Sequence, residues 1–419
     1  MHILVCGASG FIGRALCARL SSAGHTVVRG VRRPRHAGEL AIDFARDTDP
    51  AVWAGRLAGI EAVVNAVGII VERRGASFEA IHHRAPAALF AACATAGVRR
   101  VVQISALGAA QGDTPYFRTK YAADQALMQL PLAWQILRPS LVYGAQGASA
   151  TMFRMLATLP VVPVPQLDGA RFQPVHVDDL CEAVERALLN EPERQEIDLV
   201  GATALTYPDM LACYRRGMGG GRPRFLTIPA VLLTAGAWCF GWIPGAVLTP
   251  ATWRMLRAGS AGDAAGITRL LGRPPRAAAD FIAPDEAGLL RLRAQAGWRD
   301  LLLRVALALV WIVTAVVSAG LYPVADSMAL LARLGLTGAS AQAALCGAVL
   351  LDLVLGVATL VAPGRRLWLF QAGLVLGYSA VIAVAMPEFL IHPFGPLTKN
   401  LPILAILLIL HAEAEPWNT

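Results

Sequence analysis

The sequence predicts an α/β domain, a doubly wound parallel sheet with a small substrate lobe, followed by an all-α bundle of about four transmembrane helices. Three observations carry this prediction. The chain opens with "HILVCGASGFIGRALCARLSSAGHTVVRGVRR", residues 2–33, whose order of apolar run, glycine-rich turn, amphipathic stretch and second β-branched run is that of a strand–turn–helix–strand unit. Residues 1–224 mix charged and apolar side chains as a globular domain does, whereas residues 300–412 contain long stretches without charge. The 419 residues are 56% hydrophobic with a mean hydropathy of +0.52, too apolar for an ordinary soluble enzyme. The expected division is therefore an α/β domain over 1–225, a membrane-proximal segment and linker over 226–299, and a membrane domain over 300–412.

Composition also excludes some classes. The net charge of +8 comes from arginines near the ends of apolar segments and in loops, with no aromatic-interleaved basic stripe, so nucleic acid is not an expected partner. Seven scattered cysteines without a C-x-x-C pair indicate neither a disulfide framework nor a zinc site, and no metal is expected. The opening residues lack a basic region followed by a long apolar core and read as a first strand, so no cleavable signal peptide is expected.

In the first turn, Gly7, Gly10 and Gly13 form G-x-x-G-x-x-G between strand and helix. The first glycine permits the tight turn, the second lets backbone approach a pyrophosphate, and the third lets helix and strand pack closely, with phosphates at the helix N-terminus. At the end of the second strand an acid would hydrogen-bond a ribose 2′-hydroxyl, while arginine accommodates a 2′-phosphate. Here stand Arg29, Arg32 and Arg33 and no acid, which favours NADP(H) and leaves NAD(H) possible. Asp43 follows a short apolar run, and Asn65 and Gly68 end another. Asp43 reads either as an adenine contact or as a helix cap, and the Asn65 segment either as passing under a cofactor or as a cap.

Taken together, "GASGFIG" (7–13), "NAVG" (65–68), "ISALG" (104–108), "YFRTK" (116–120), "RPSLVYG" (138–144) and "PVHVDDL" (174–180) resemble the short-chain dehydrogenase/reductase superfamily. The fold this implies is Rossmann-type and nucleotide-binding, across roughly residues 1–225, with a substrate lobe that starts in that domain and continues into 226–299. Within it the chain is most similar to the atypical group that includes the nucleotide-binding accessory subunit of respiratory complex I. The resemblance implies a cofactor held by Gly7, Ser9, Gly10, Phe11, Ile12, Gly13, Arg32, Arg33, Asp43, Asn65, Gly68, Lys120 and Pro139. It implies Tyr116 as general acid or base, Lys120 as the group that holds the nicotinamide ribose and lowers the tyrosine pKa, and Ser105 as polariser of the substrate oxygen. The physical case for the pair is that a phenol near pKa 10 needs a neighbouring cation to work at neutral pH, and positions 116 and 120 share a helix face. Of 37 basic residues only Lys120 and Lys399 are lysine, so lysine at 120 marks a place where a forked guanidinium does not substitute. His176 with Asp178 and Asp179 reads as a helix start, and His82 and His83 as solvent-facing.

From Phe225 to Trp253 no residue is charged. Three prolines and central tryptophans make 228–249 a helix lying against the lobe or in the membrane interface, in preference to a span, and residues 258–287 a connection with one short helix around "ITRLLG". Four apolar segments then follow: Val305 to Ala325, Ala341 to Ala362 interrupted by Asp352, Leu367 to Pro387, and the short Leu401 to Ala412. Their lengths suit spanning helices. Arg291, Arg293, Arg299 and Arg304 before the first, and Arg365 and Arg366 between the second and third, place the nucleotide domain and the C-terminus on the cytoplasmic side of a cell (inner) membrane. The layout resembles DoxX-like membrane domains. Asp352, an ionisable group at membrane depth, is a functional candidate or a buried link between helices. Two functional readings follow: a membrane-anchored NADP(H)-dependent oxidoreductase or epimerase/dehydratase-like enzyme on an unidentified small-molecule substrate, or a non-catalytic nucleotide-binding protein docking to a membrane complex or to its own copies.

Overall fold

A computed structural model describes residues 1–190, 194–241, 248–393 and 395–414. Eleven strands are described: β1 His2–Cys6, β2 Thr26–Val31, β3 Glu39–Ala41, β4 Ala62–Asn65, β5 Arg100–Ile104, β6 Ala133–Pro139, β7 Val142–Tyr143, β8 Val161–Pro165, β9 Val175–His176, β10 Gln195–Leu199 and β11 Arg224–Ile228. Seven form one sheet in the order β10-β6-β5-β4-β1-β2-β3, and every pairing in it is parallel. The order reverses between β1 and β4, and a ligand binds at such a switch point, outside the carboxyl ends of the strands.

The helices of this first part are α1 Phe11–Ser22, α2 Ala85–Thr95, α3 Pro115–Met128, α4 Ala148–Ala157, α5 Val177–Leu189, α6 Tyr207–Gly217, α7 Ala230–Phe240, α8 Pro250–Ala258 and α9 Ala265–Leu271. Alternation along the strands makes two cores. Ile3 and Val5 face Leu16, Leu20, Leu180 and Val184 of α1 and α5, while Leu4 and Cys6 face the other layer with Trp53, Leu89 and Leu127, as period-2 side chains on a doubly covered sheet must. A third core of Tyr143, Phe153, Phe172, Met210, Tyr214 and Phe281 holds the lobe, with the small parallel pairs β11-β8 and β7-β9.

The rest of the chain comprises α10 Pro284–Val316, α11 Val324–Arg333, α12 Gly338–Val361, α13 Arg365–Ala385 and α14 Asn400–Glu413. The chain divides into two units, 1–294 and 295–419, with the boundary inside α10. The described residues of the segment expected at 226–299 lie in the first unit as far as 294. Among the described residues, three helices are long and apolar enough to cross a membrane, and α14, with 14 residues, is about 21 Å long. The first apolar segment, expected to run to Ala325, ends sooner: a π-helical turn at Val317–Leu321 closes on Gly320 at φ 151°, and Ala325 belongs to α11. Expected residues 242–247 of the 228–249 segment lie outside the described residues, and α7 occupies 230–240.

Inside the second unit, Leu307, Trp311, Leu355, Trp368, Val375, Leu407 and Leu410 form one core. A buried polar chain crosses it. Trp311 Nε1 donates to Gln371 Oε1 (2.9 Å), and Gln371 Nε2 donates to Thr359 Oγ1 (2.9 Å). Arg304 donates to the carbonyls of Thr359 and Leu360, satisfying the open end of α12. Asp352 is buried, and its Oδ1 has no partner among the described residues.

Candidate active site

Each glycine of the first turn has a distinct geometric duty. Gly7 sits at φ +80°, and a Cβ there would lie 3.1 Å from Ala66 O and Val67 Cγ2. A Cβ on Gly13 would lie 2.0 Å from Gly7 O, so only glycine lets α1 pack against the turn. A Cβ on Gly10 would meet only Gly7 O at 3.1 Å, which leaves the outer side of the turn open, and no side chain caps α1. Uncapped amides at a helix start beside the switch point suit a phosphate.

The other end of the site lies where β4 and β5 finish. Thr114 caps α3, its Oγ1 accepting from Phe117 N–H, and Pro115 at the first helical position suits the helix start. At the second helical position, Tyr116 is half-buried. One turn further, Lys120 is buried, and its Nζ donates to Val67 O (3.2 Å) and Ile104 O (3.1 Å). The ammonium thus bridges the carboxyl ends of two neighbouring strands. A Cβ on Gly68 would be 3.3 Å from Nζ, so glycine there leaves the lysine its room. Burial lowers the Lys120 pKa to about 8 against the opposing attraction of Asp124.

Tyr116 differs from expectation in one respect. Burial pushes its phenol up to about 12, without the lowering expected from Lys120. The ring packs edge-on against Phe78, His82 and Phe117, with centroids 6.0, 5.3 and 5.4 Å away.

His82 corrects another expectation: it is 1% exposed, not solvent-facing. Its Nε2 accepts from Ile69 N–H at 2.9 Å, so the proton sits on Nδ1, which faces Thr119 Oγ1 at 3.4 Å. Burial and the nearby Lys120 lower its pKa to about 2, so the ring is neutral. It ties the β4 loop to α3, and it lies in a π-helical turn, Glu79–Arg84, a distortion common at functional sites. The sequence signal for it was spacing: 82 falls in register with Phe78, Ala85, Leu89 and Ala92 on an apolar stripe. His83 is only partly exposed and pairs with Glu79 at 2.8 Å.

Ser105 ends β5 as expected, but its side chain is buried and donates to an Asp124 carboxylate oxygen. Asp124 is fully buried, and burial raises its pKa to about 6. Asn65 is buried too, donating from Nδ2 to Gln103 Oε1 (2.8 Å) and accepting from Val67 N–H (3.2 Å), which shapes the loop that carries Gly68.

The remaining residues expected at the cofactor make the following contacts. Phe11 packs over the 144–147 loop, where a Cβ on Gly144 would come 2.6 Å from its ring. Ile12 packs on the sheet core, and Pro139 O accepts from Leu107 N–H. The Ser9 carbonyl accepts from Arg14. Asp43 does not cap a helix: its Oδ1 accepts from Ala45 N–H within a turn, and the helical turn that follows at Pro50–Leu57 is capped by Asp49. Arg32 and Arg33 stand exposed just beyond β2. His176 caps α5, its Nδ1 accepting from Asp178 N–H, as the helix-start reading expects.

Fold and site together make the front a Rossmann-type α/β domain and the rear a bundle of apolar helices. Residues 3–200 match the NAD dependent epimerase/dehydratase family, and residues 308–408 the DoxX-like family. The chain is similar to the mitochondrial NADH dehydrogenase (ubiquinone) 1 alpha subcomplex subunit 9 of Arabidopsis thaliana, 30% identical over 200 residues, which are 45% of this chain and 50% of that protein. The Mus musculus counterpart is 28% identical over 49% of this chain and 56% of its own. The chain thus spans about half the length of these relatives. An epimerase family protein of Mycobacterium bovis is 28% identical over 56% of this chain and 83% of its own. Two solved structures share the fold: an NADPH-dependent quinone oxidoreductase from Escherichia coli (TM-score 0.54, 17% identity, 67% of this chain, 98% of that one) and the UDP-N-acetylglucosamine 4-epimerase from Bacillus cereus (TM-score 0.53, 16% identity, 69% and 96%).

Proposed function

We propose that this protein is a membrane-anchored, NADP(H)-preferring oxidoreductase that reduces a carbonyl carbon, or oxidises the corresponding alcohol, with Tyr116 as the proton-transferring group. The observation that carries the reading is Lys120, buried and bridging the ends of β4 and β5 one turn after Tyr116. A bound nicotinamide supplies or accepts the hydride. Tyr116 Oη then donates its proton to the substrate oxygen as negative charge develops there. A phenol held at about 12 is the neutral acid at physiological pH, the form that reduction requires. The Lys120 ammonium, with two of its donors on Val67 O and Ile104 O, offers its remaining donor to a ribose hydroxyl. Arg32 and Arg33, exposed beyond β2 where a 2′-phosphate would fall, favour NADP(H) over NAD(H). With two crossings between Arg291–Arg304 and Arg365–Arg366, both arginine groups face one side, and the positive-inside rule makes that side the cytoplasm. The membrane tail favours a lipid-soluble substrate.

A second reading, a non-catalytic nucleotide-binding protein docked to a membrane complex, is favoured by the commitment of Ser105 to Asp124, which removes an expected substrate contact. Titration of the detergent-solubilised protein with NADPH and NADH, followed by oxidation of bound NADPH with a panel of quinones and carbonyl compounds, separates the two. Acceptor-dependent oxidation that vanishes in Tyr116→Phe supports the enzyme. Tight binding with no oxidation by any acceptor, unchanged by Tyr116→Phe, supports the second reading.

A further inference from the structure

The substrate lobe carries a helix that presents its apolar face outward. In α7 the outward positions are Val231 (72% exposed), Leu232 (61%), Ala235 and Trp238 (72%), spaced as one helical stripe. The inward positions are secured: Ala237 is fully buried, and Thr234 Oγ1 accepts from Trp253 Nε1 at 2.9 Å. A lobe surrounded by water turns polar residues outward at such positions, yet no residue of α7 is charged. The preceding strand repeats the pattern, with Phe225 and Leu226 exposed on β11.

The charges that this segment itself carries are of one sign. Between Asp209 and Asp263 the chain contains six arginines and no acidic residue. Arg222, Arg224 and Arg257 are exposed; Arg254 pairs with Asp113, and Arg215 donates to backbone carbonyls. An apolar stripe containing an exposed tryptophan and fringed by cations complements a bilayer surface with anionic headgroups, where apolar burial and attraction to headgroups add. Among its described residues the same chain carries three helices long and apolar enough to cross a membrane.

We infer that α7 and β11 form a membrane-contact surface, by which the substrate lobe lies on an anionic lipid surface with Val231, Leu232 and Trp238 inserted at the headgroup level. This inference is independent of the nucleotide chemistry.

The test uses the full chain, one copy per lipid nanodisc, with tryptophan emission read as the difference between wild type and Trp238→Phe. With brominated phosphatidylcholine and phosphatidylglycerol in the disc, the Trp238 component should be quenched at least about twofold, and aqueous iodide should quench it several-fold less than an exposed indole. Leu232→Glu should abolish the lipid quenching, and Arg222→Gln with Arg224→Gln should weaken it more in anionic than in zwitterionic discs. The Trp238 component of Leu232→Glu is read as its difference from the double variant Leu232→Glu with Trp238→Phe. Strong iodide quenching without lipid quenching means the stripe faces water and overturns the inference. Protection from both quenchers overturns it too, because the stripe is then covered by protein of the same chain.

Discussion

Substituting alanine in turn at the three glycines of the first turn should separate their duties, because the space around each differs. At Gly13 the new Cβ would start 2.0 Å from Gly7 O, 2.7 Å from Gly7 C and 2.9 Å from Ala8 Cα, all backbone atoms that no rotamer change can clear. Reaching a tolerable separation of roughly 3 Å moves the start of α1 by about 1 Å, and overpacking of this kind costs about 1–3 kcal/mol of stability. The same shift lengthens amide-to-phosphate bonds from about 2.9 to about 3.9 Å, beyond hydrogen-bonding distance. Losing two charge-assisted bonds at about 1.5 kcal/mol or more each weakens nucleotide binding by roughly 100-fold. At Gly10 the Cβ meets only Gly7 O at 3.1 Å, so stability should change by less than about 1 kcal/mol while the methyl occupies the phosphate's approach and affinity still falls about tenfold or more. Gly7→Ala should fall between, since φ +80° costs an L-residue about 1–2 kcal/mol. The assay pairs an NADPH fluorescence titration with the unfolding transition of the nucleotide unit, followed separately from the membrane helices because a two-unit chain is not two-state. Gly10→Ala with wild-type affinity, or Gly13→Ala with both properties intact, would refute the assignment of the turn to the pyrophosphate.

Three further outcomes follow from the site. Tyr116→Phe should leave NADPH affinity within about twofold of wild type while lowering any acceptor-dependent turnover by about 10²–10⁴-fold; a comparable loss of affinity would show that the ring binds and does not transfer protons. For stability against pH, Lys120 has a folded pKa of about 8 against an ordinary 10.5, so the unfolded chain holds the extra proton between those values and stability rises across pH 8 to 10.5. Asp124 is raised from 3.8 to about 6, so stability falls as pH rises through that window; each effect is on the order of 3 kcal/mol. Denaturation midpoints of Lys120→Met and Asp124→Asn should each lose one of these slopes, and slopes unchanged from wild type would contradict the burial of those charges. His82→Phe should destabilise the nucleotide unit by about 1–3 kcal/mol, because Ile69 N–H loses its acceptor inside the protein. His82→Gln, which keeps an acceptor, should recover much of that loss in the same measurement.

What the sequence made legible follows from which constraints are local. The glycine turn could be read because each requirement, a positive φ at Gly7 and the close approach at Gly13, falls on one residue whose identity answers it. Lys120 was legible for a related reason: a chain that otherwise uses arginine placed an ammonium where two carbonyls converge beneath Gly68. The apolar spans were legible from composition, but their ends were not; the first stops at Gly320 because one backbone angle there leaves the helical region, and hydropathy carries no record of dihedrals. Side-chain direction was the least legible quantity. Ser105 stands at the predicted strand end and turns to Asp124 because α3 brings a buried carboxylate beneath β5, a contact between residues 19 apart that no local pattern encodes.

The same buried carboxylate links the fold to the chemistry. Burial costs both Asp124 and Lys120 their charged forms, and each opposes that cost in the other, being one helical turn apart. Lys120 thereby stays available as a cation near neutral pH, the state in which the proposed function has it hold a ribose, while the Ser105 hydroxyl turns to one oxygen of the acid. A serine placed to polarise substrate and a serine placed to satisfy Asp124 make opposite demands on one hydroxyl, and here the buried acid has it. The polarising duty then falls to Tyr116 Oη alone among the expected catalytic residues, which is why the phenylalanine variant bears on both proposed functions at once.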